Sequence, residues 1–212
     1  SGPCGHTVIQ VDQNGQNCIL LYGGANQSIT KEFVDEVLSH FDKGDMLLLQ
    51  NEISELDYII EKASENEMQI ILNPSPYNNK LDKCDLNKIS LFLVNEIEGE
   101  QITGEKEPDE ILKKFSQMYP DASVVLTLGG DGAVYQDKKG IYRQGIFPVK
   151  AVDTTAAGDT FTGYFLASVL EKMSPEECLR MAAKASSIAV SRLGAAASVP
   201  MRNEVMEAME RE

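Results

Sequence analysis

Apolar residues along this chain come in two alternating forms. Short continuous runs, "DMLLLQ", "MQIILN", "ISLFLVN" and "ASVVLTLGGDG", have the length and composition of strands covered on both faces. Between them, apolar residues recur at spacings of three and four, the period of an amphipathic helix. "KEFVDEVLSHF" puts Phe33, Val34, Val37, Leu38 and Phe41 on one face, with Thr30 as its N-cap. "SELDYIIEKASENE" and "PDEILKKFSQMY" read as helices too, whereas "EIEGEQITG" is polar. Two longer helices close the pattern, from about Gly158 through Glu171 and from about Pro175 through Arg192.

Turn residues punctuate these elements. "HTVIQVDQNGQNCILLYGG" has two β-leaning runs joined at Asn14-Gly15, a pair that tolerates positive φ and favours a hairpin. "AVYQDKKGIYRQG" predicts a second hairpin around Lys139-Gly140, and the prolines of "NPSPYNN" stop regular structure. Strands alternating with helices predict an α/β layered fold, a mainly parallel sheet flanked by helices. With no repeat or linker in between, one domain is expected over residues 1–212, with a hairpin at 6–23 projecting from it. Ligands of such sheets sit beyond the carboxyl ends of the strands, so Glu52, Asn73, Asn95, Gly129 and Asp159 are expected to converge there.

Composition narrows the partners. The 212 residues are 42% hydrophobic and 25% charged, ordinary values for a globular protein, with a formal charge of −14. That charge opposes binding to nucleic acid or to an anionic membrane surface. No apolar run approaches a membrane span, and the opening residues lack the charged-then-apolar pattern expected of a signal peptide. Cys4, Cys18, Cys84 and Cys178 show no metal-binding spacing, which favours reduced thiols and a cytoplasmic location. With only His6 and His40, a zinc site or a serine triad is poorly supplied.

Chemistry concentrates in "AVDTTAAGDTFTGYF", Ala151 to Phe165. Amides around Ala156, Ala157 and Gly158 fall at a helix start, where free N–H groups and the helix dipole receive an anion such as a phosphoryl group. Gly158 is expected to allow a tight turn. Asp159 would then take a proton from an attacking hydroxyl while the same field stabilises charge on the transferred group. An aspartate N-cap on an ordinary helix is the plainer reading of Asp159 by itself.

The stretch closely resembles the signature of the ribokinase (PfkB-type) family of carbohydrate and nucleoside kinases. "GGANQSIT", "LLLQNEI", "ILNPSP", "LVNEIEGEQITG", "VVLTLGGDGA" and "IAVSRLGAAASVP" follow in family order, so the resemblance covers nearly the whole chain. It implies a ribokinase-like fold with the first hairpin as a lid. It also implies an ATP-dependent sugar kinase, most simply one converting D-ribose to ribose 5-phosphate. Asp159 is then the catalytic base and touches the sugar, and Ala156, Ala157 and Gly158 supply the anion hole. "NEIE" resembles the family's NxxE element, with Asn95 near the nucleotide and Glu98 reaching Mg²⁺ through water. Thr127, Gly129, Gly130, Asp131 and Gly132 resemble the loop that holds ATP, Gly158 adjoins it, and Ala183 falls against adenine. Glu52 matches a sugar-hydroxyl contact, and Asn73 is expected to help orient the phosphate region. Asp153, Thr155, Ala189, Arg192, Gly194 and Ser198 resemble a monovalent-cation site, whose all-oxygen ligation suits K⁺. The lid implies a homodimer.

The family's opening strand with its sugar-binding Asn/Asp pair, and its later Gly-Gly motif, have no counterpart here. The chain is therefore expected to correspond to the C-terminal two-thirds of a family member, with much of the sugar pocket outside it. A non-catalytic nucleotide-binding module of the same fold, or a kinase for a nucleoside or another sugar, are the alternatives.

Overall fold

In the computed structural model, residues 2–11 and 17–211 are described, with their side chains except at 9, 11 and 17–19. They fall into two units, residues 1–92 and 93–212. The Asn14-Gly15 turn expected from the sequence lies outside the described residues. Among the described residues, no helix is long and apolar enough to cross a membrane.

The first unit opens with β1 (His6–Val11) and β2 (Asn17–Tyr22), an antiparallel pair with His6 opposite Tyr22 and Val8 opposite Leu20. Helix α1 (Lys31–Leu38) starts as predicted, with the Thr30 hydroxyl accepting from the Phe33 N–H at 3.3 Å. Only Val34 and Leu38 of its apolar set are buried. The helix stops after eight residues, so Phe41 falls beyond it, and Phe33 at the edge of the stripe is exposed. Strand β3 (Met46–Gln50) is followed by α2 (Leu56–Glu65), which buries Leu56, Ile59, Ile60 and Ala63 at the expected helical spacing. Strand β4 (Gln69–Asn73) pairs parallel to β3, Leu48 facing Ile71 in register. Ile70, Ile71 and Leu72 are almost fully enclosed, as a strand with two covered faces should be. By contrast, Leu48 in β3 is 45% exposed, so the expected double cover does not extend to that strand.

Strand β5 (Leu91–Asn95) spans the division between units: Leu91 and Phe92 pair parallel with β4, and its remaining residues belong to the second unit. There α3 (Glu96–Thr103) and α4 (Pro108–Met118) lead to β6 (Ser123–Thr127), β7 (Ala133–Asp137) and β8 (Gly140–Gln144). The parallel pairing expected from the buried runs is found at β3–β4 and β4–β5; β6–β7 and β7–β8 are antiparallel. The connections among these last strands are far too short for a parallel crossover. Asp137 pairs with Gly140, placing the second hairpin's turn at Lys138-Lys139, one residue earlier than predicted. The Asp137 carboxylate holds it there by accepting from the Lys139 and Gly140 N–H groups at 2.8 and 3.0 Å.

Helices α5 (Ala157–Leu170) and α6 (Pro175–Val190) pack side by side. Buried alanines on α6, Ala182, Ala185 and Ala189, let the neighbouring backbone approach closely. Helix α7 (Arg202–Glu210), which the apolar pattern does not predict, docks Val205 against Met181 and Ala185.

Candidate functional site

Helix α5 begins within the singled-out stretch, with Ala156 as its N-cap. Alanine has no side-chain acceptor, whereas α1, α3 and α6 are capped by Thr30, Asn95 and Ser174. The first-turn amides of α5 are thus not taken up by a cap. Of the three expected anion-hole amides, that of Ala157 already reaches the Thr154 carbonyl at 3.2 Å, and Ala156 is buried. Gly158 lies inside the first helical turn, not in a tight turn before it. Its φ is not positive, and a Cβ there would meet nothing within 4 Å. Neither the backbone conformation nor a close neighbour requires this glycine, and the space in front of it is open.

That space is a cavity of about 430 Å³. One side is the loop after β6, with Thr127, Gly129, Gly130 and Gly132; another is the start of α5, with Ala157, Gly158 and Phe161. Ala183, Ser186, Ser187 and Val190 form a third wall, one face of α6. Ile146, Phe147 and Val149 complete an apolar side, and Lys184 Nζ lies 4.7 Å from the centre of the Phe147 ring. A flat apolar slot beside a glycine-rich loop and a helix N-terminus suits a heteroaromatic ring carrying phosphates. The three loop glycines differ. Gly129 and Gly130 face open space, Gly129 at a φ of +50°, whereas a Cβ at Gly132 would fall 2.0 Å from the Gln144 carbonyl, with φ at +100°. Gly132 therefore serves the close approach of its loop to the end of β8.

Asp159 is exposed on the same first turn. It borders a second cavity of about 340 Å³ with Thr160, Gly163, Tyr164 and Arg202. Thr160 is 2% exposed, and its hydroxyl has no hydrogen-bond partner among the described residues. Asp131 and Asn95 do not line the 430 Å³ cavity. Asn95 instead forms a reciprocal cap on α3: its side chain accepts from the Glu98 N–H at 2.9 Å, and the Glu98 carboxylate accepts from the Asn95 N–H at 3.0 Å.

The expected cation loop is braced by Asp153. One carboxylate oxygen accepts from the Thr155 N–H at 3.0 Å and the Thr155 hydroxyl at 2.5 Å; the other accepts from the Gly194 N–H at 3.0 Å. These bonds, with the Thr155 hydroxyl contributing most, hold the Asp153 carboxyl below its ordinary value. Around it, the Ala189 carbonyl already accepts from the Arg192 N–H at 3.0 Å, and Ser198, 1% exposed, donates its hydroxyl to Ala195 O at 2.7 Å. The Arg192 side chain turns to Glu204 at 2.7 Å.

Glu52 and Asn73 lie in the first unit. Glu52 is exposed beside a cavity of about 410 Å³ lined by Asn26, Asn51, Asn78 and Lys80 together with Leu21, Tyr22 and Pro76. The Asn73 side chain accepts from the Ser75 N–H at 3.1 Å, shaping the turn that follows β4. Cys84 and Cys178 are buried, and burial pushes both thiols up to about 11, so neither is a nucleophile at neutral pH. Sequence reasoning missed Ile146, Phe147, Phe161, Ser186 and Val190. A signal existed on α6, where 183, 186, 187 and 190 repeat at helical spacing.

Comparison with known proteins matches the chain to one family. Residues 2–202 fit the model of the pfkB family carbohydrate kinases. Ribokinase from Haemophilus influenzae is 36% identical over 97% of this chain and 69% of its own length. Ribokinase from Arabidopsis thaliana is 33% identical over 97% of the chain, but only 56% of that protein is covered. The chain thus spans between about half and 70% of these two relatives. Among solved structures, ribokinase from Thermotoga maritima superposes with a TM-score of 0.85 at 34% identity, covering 100% of this chain and 71% of that one. Arabidopsis thaliana ribokinase complexed with ribose and ATP gives 0.81 at 30% identity, covering 99% and 70%. With its layered α/β fold and its glycine-lined cavity at the start of α5, the chain belongs to the pfkB family of carbohydrate kinases.

Proposed function

We propose that this chain, as one family domain over residues 1–212, carries the phosphoryl-transfer machinery of an ATP-dependent sugar kinase acting on D-ribose to give ribose 5-phosphate. The observation that carries this reading is the position of Asp159. It sits on the first turn of an uncapped helix, next to Gly158 at the glycine-lined cavity, and itself borders a second cavity. A nucleotide in the first cavity would rest its base against Ala183 and its phosphates near Thr127, Gly129, Gly130 and Gly158. Asp131 and Asn95 would act from outside the cavity wall. Asp159 takes the proton of the attacking hydroxyl, and the N–H groups of Ala156, Ala157 and Gly158 offset the charge that builds on the phosphoryl oxygens. Glu52 is assigned to a sugar hydroxyl.

Two ions fit residues of this chain. Glu98, 8% exposed and held by the Asn95 N–H, would meet a nucleotide-borne Mg²⁺ through water, the hydrated mode that ion prefers. The oxygen-rich loop braced by Asp153, with Thr155, Ala189, Arg192, Gly194 and Ser198, would hold K⁺. Bound there, the cation adds positive field near the phosphoryl turn. A cytoplasmic protein is the location we infer.

Asp159→Asn tests the assignment. Ribose-dependent ADP release should fall by ~10²–10⁴-fold while ATP affinity changes little. Near-wild-type turnover would sink the base assignment. A second reading is a non-catalytic nucleotide-binding module of the same fold, in which the glycine-lined cavity holds a nucleotide without transfer. Tight Mg·ATP binding by the wild-type chain without any sugar-dependent ADP release would favour it. Turnover with a nucleoside or another sugar and none with ribose would move the acceptor alone.

A further inference from the structure

A serine inside a helix ordinarily returns its hydroxyl proton to a carbonyl one turn back. Ser168 does so to Tyr164 O at 2.9 Å, and Ser187 to Lys184 O at 2.7 Å. Ser186 does not. Its Oγ donates across to the carbonyl of Ala157, the first residue of α5, at 3.1 Å and 29 residues away in sequence. Ser186 stands on the α6 wall of the large cavity beside Ala183, and Ala157 borders the same cavity next to Gly158. This hydrogen bond links the wall assigned to the base with the turn assigned to the phosphates.

The turn offers no side-chain tether of its own. Ala157 has only a methyl group, Gly158 has no side chain, and no cap residue closes the helix start. We infer that Ser186 is a positioning residue, whose hydroxyl holds the first turn of α5 in register with the base wall so that phosphates and base are bound together. The inference rests on the nucleotide reading of this cavity.

Calorimetric titration of the full chain with adenosine, and separately with ATP in the presence of Mg²⁺, tests it. Adenosine reaches only the base wall; ATP also uses the turn. Ser186→Ala should raise the ATP Kd about three- to tenfold, the range of one neutral hydrogen bond, and change the adenosine Kd by less than about twofold. Ser186→Thr keeps the hydroxyl and should restore the ATP value. Equal weakening of both ligands, no change in either, or a Thr variant as weak as the Ala variant would overturn the proposal. A wild-type chain that binds neither ligand would overturn the nucleotide reading itself, a result distinct from the others.

Discussion

The Asp153 carboxylate accepts a hydrogen bond from the backbone N–H of Gly194 at 3.0 Å, across 41 residues of sequence. Its other oxygen is taken by Thr155. The segment leading into α5 and the loop that follows α6 are thus held together by one anionic side chain. The brace adds to the N–H groups of Val152 and Asp153, which both reach the Val190 carbonyl, at 2.7 and 3.2 Å.

This brace has a definite pH dependence. The folded-state pKa of Asp153 lies below its ordinary 3.8, first through the Thr155 hydroxyl, then through the N–H groups of Thr155 and Gly194. A depressed carboxyl stabilises the fold fully above its unfolded value and stops doing so as pH falls through the folded one. Amide exchange at Gly194 should therefore stay equally protected from neutral pH down to about 4 and lose protection only below that. Loss of protection between pH 6 and 7 would contradict the assignment.

The same loop predicts a cation effect on catalysis. Ribose-dependent ADP release should be faster in K⁺ than in Na⁺ at equal ionic strength, because the larger, more weakly hydrated ion loses its water to carbonyl and hydroxyl oxygens at less cost. Equal rates in K⁺, Na⁺ and a bulky organic cation would reject the site.

Two glycines of the large cavity should part company on substitution to alanine. At Gly132 the new Cβ would strike the Gln144 carbonyl at a left-handed φ, so Gly132→Ala should destabilise the fold by about 1–3 kcal/mol. At Gly158 the Cβ meets open space inside a helix, where alanine is favoured by about 0.5–1 kcal/mol. Gly158→Ala should keep or raise the melting temperature and weaken ATP binding at least tenfold. Unfolding of both variants to the same degree, or undiminished ATP binding by Gly158→Ala, would contradict the distinction.

The first hairpin carries an assembly prediction. Val8 and Leu20 face each other across the two strands and are 51% and 56% exposed, with Leu21 at 57%. A two-stranded ribbon with that much open apolar surface is marginal in water without a cover. We expect a homodimer through this hairpin. Sedimentation equilibrium at micromolar concentration that finds only the folded 23.3 kDa monomer would reject it.

Much of the local structure is legible in the chain order itself. Strands β4, β5 and β6 announce themselves as apolar runs, and Thr30 announces its helix, because both signals act over a few residues. The stretch from Ala151 to Phe165 fixes a helix start, a gap in side-chain bulk and a carboxylate within one turn, all local properties. Helix α3 was not legible. Its buried residues, Glu98, Gly99 and Thr103, are polar or lack a side chain, and Gly99 is small because a Cβ there would press on Ile111 of α4. Helix α7 was missed because Val205 is its only fully buried residue. Tertiary packing alone decided that Gly132 answers to Gln144 while Gly158 answers to empty space. It alone placed Phe147, Phe161 and Ser186 around one cavity and turned the Ser186 hydroxyl to Ala157. Local period and capping depend on neighbours within a turn; which walls meet around a ligand depends on contacts tens of residues apart, and no window along the chain contains them.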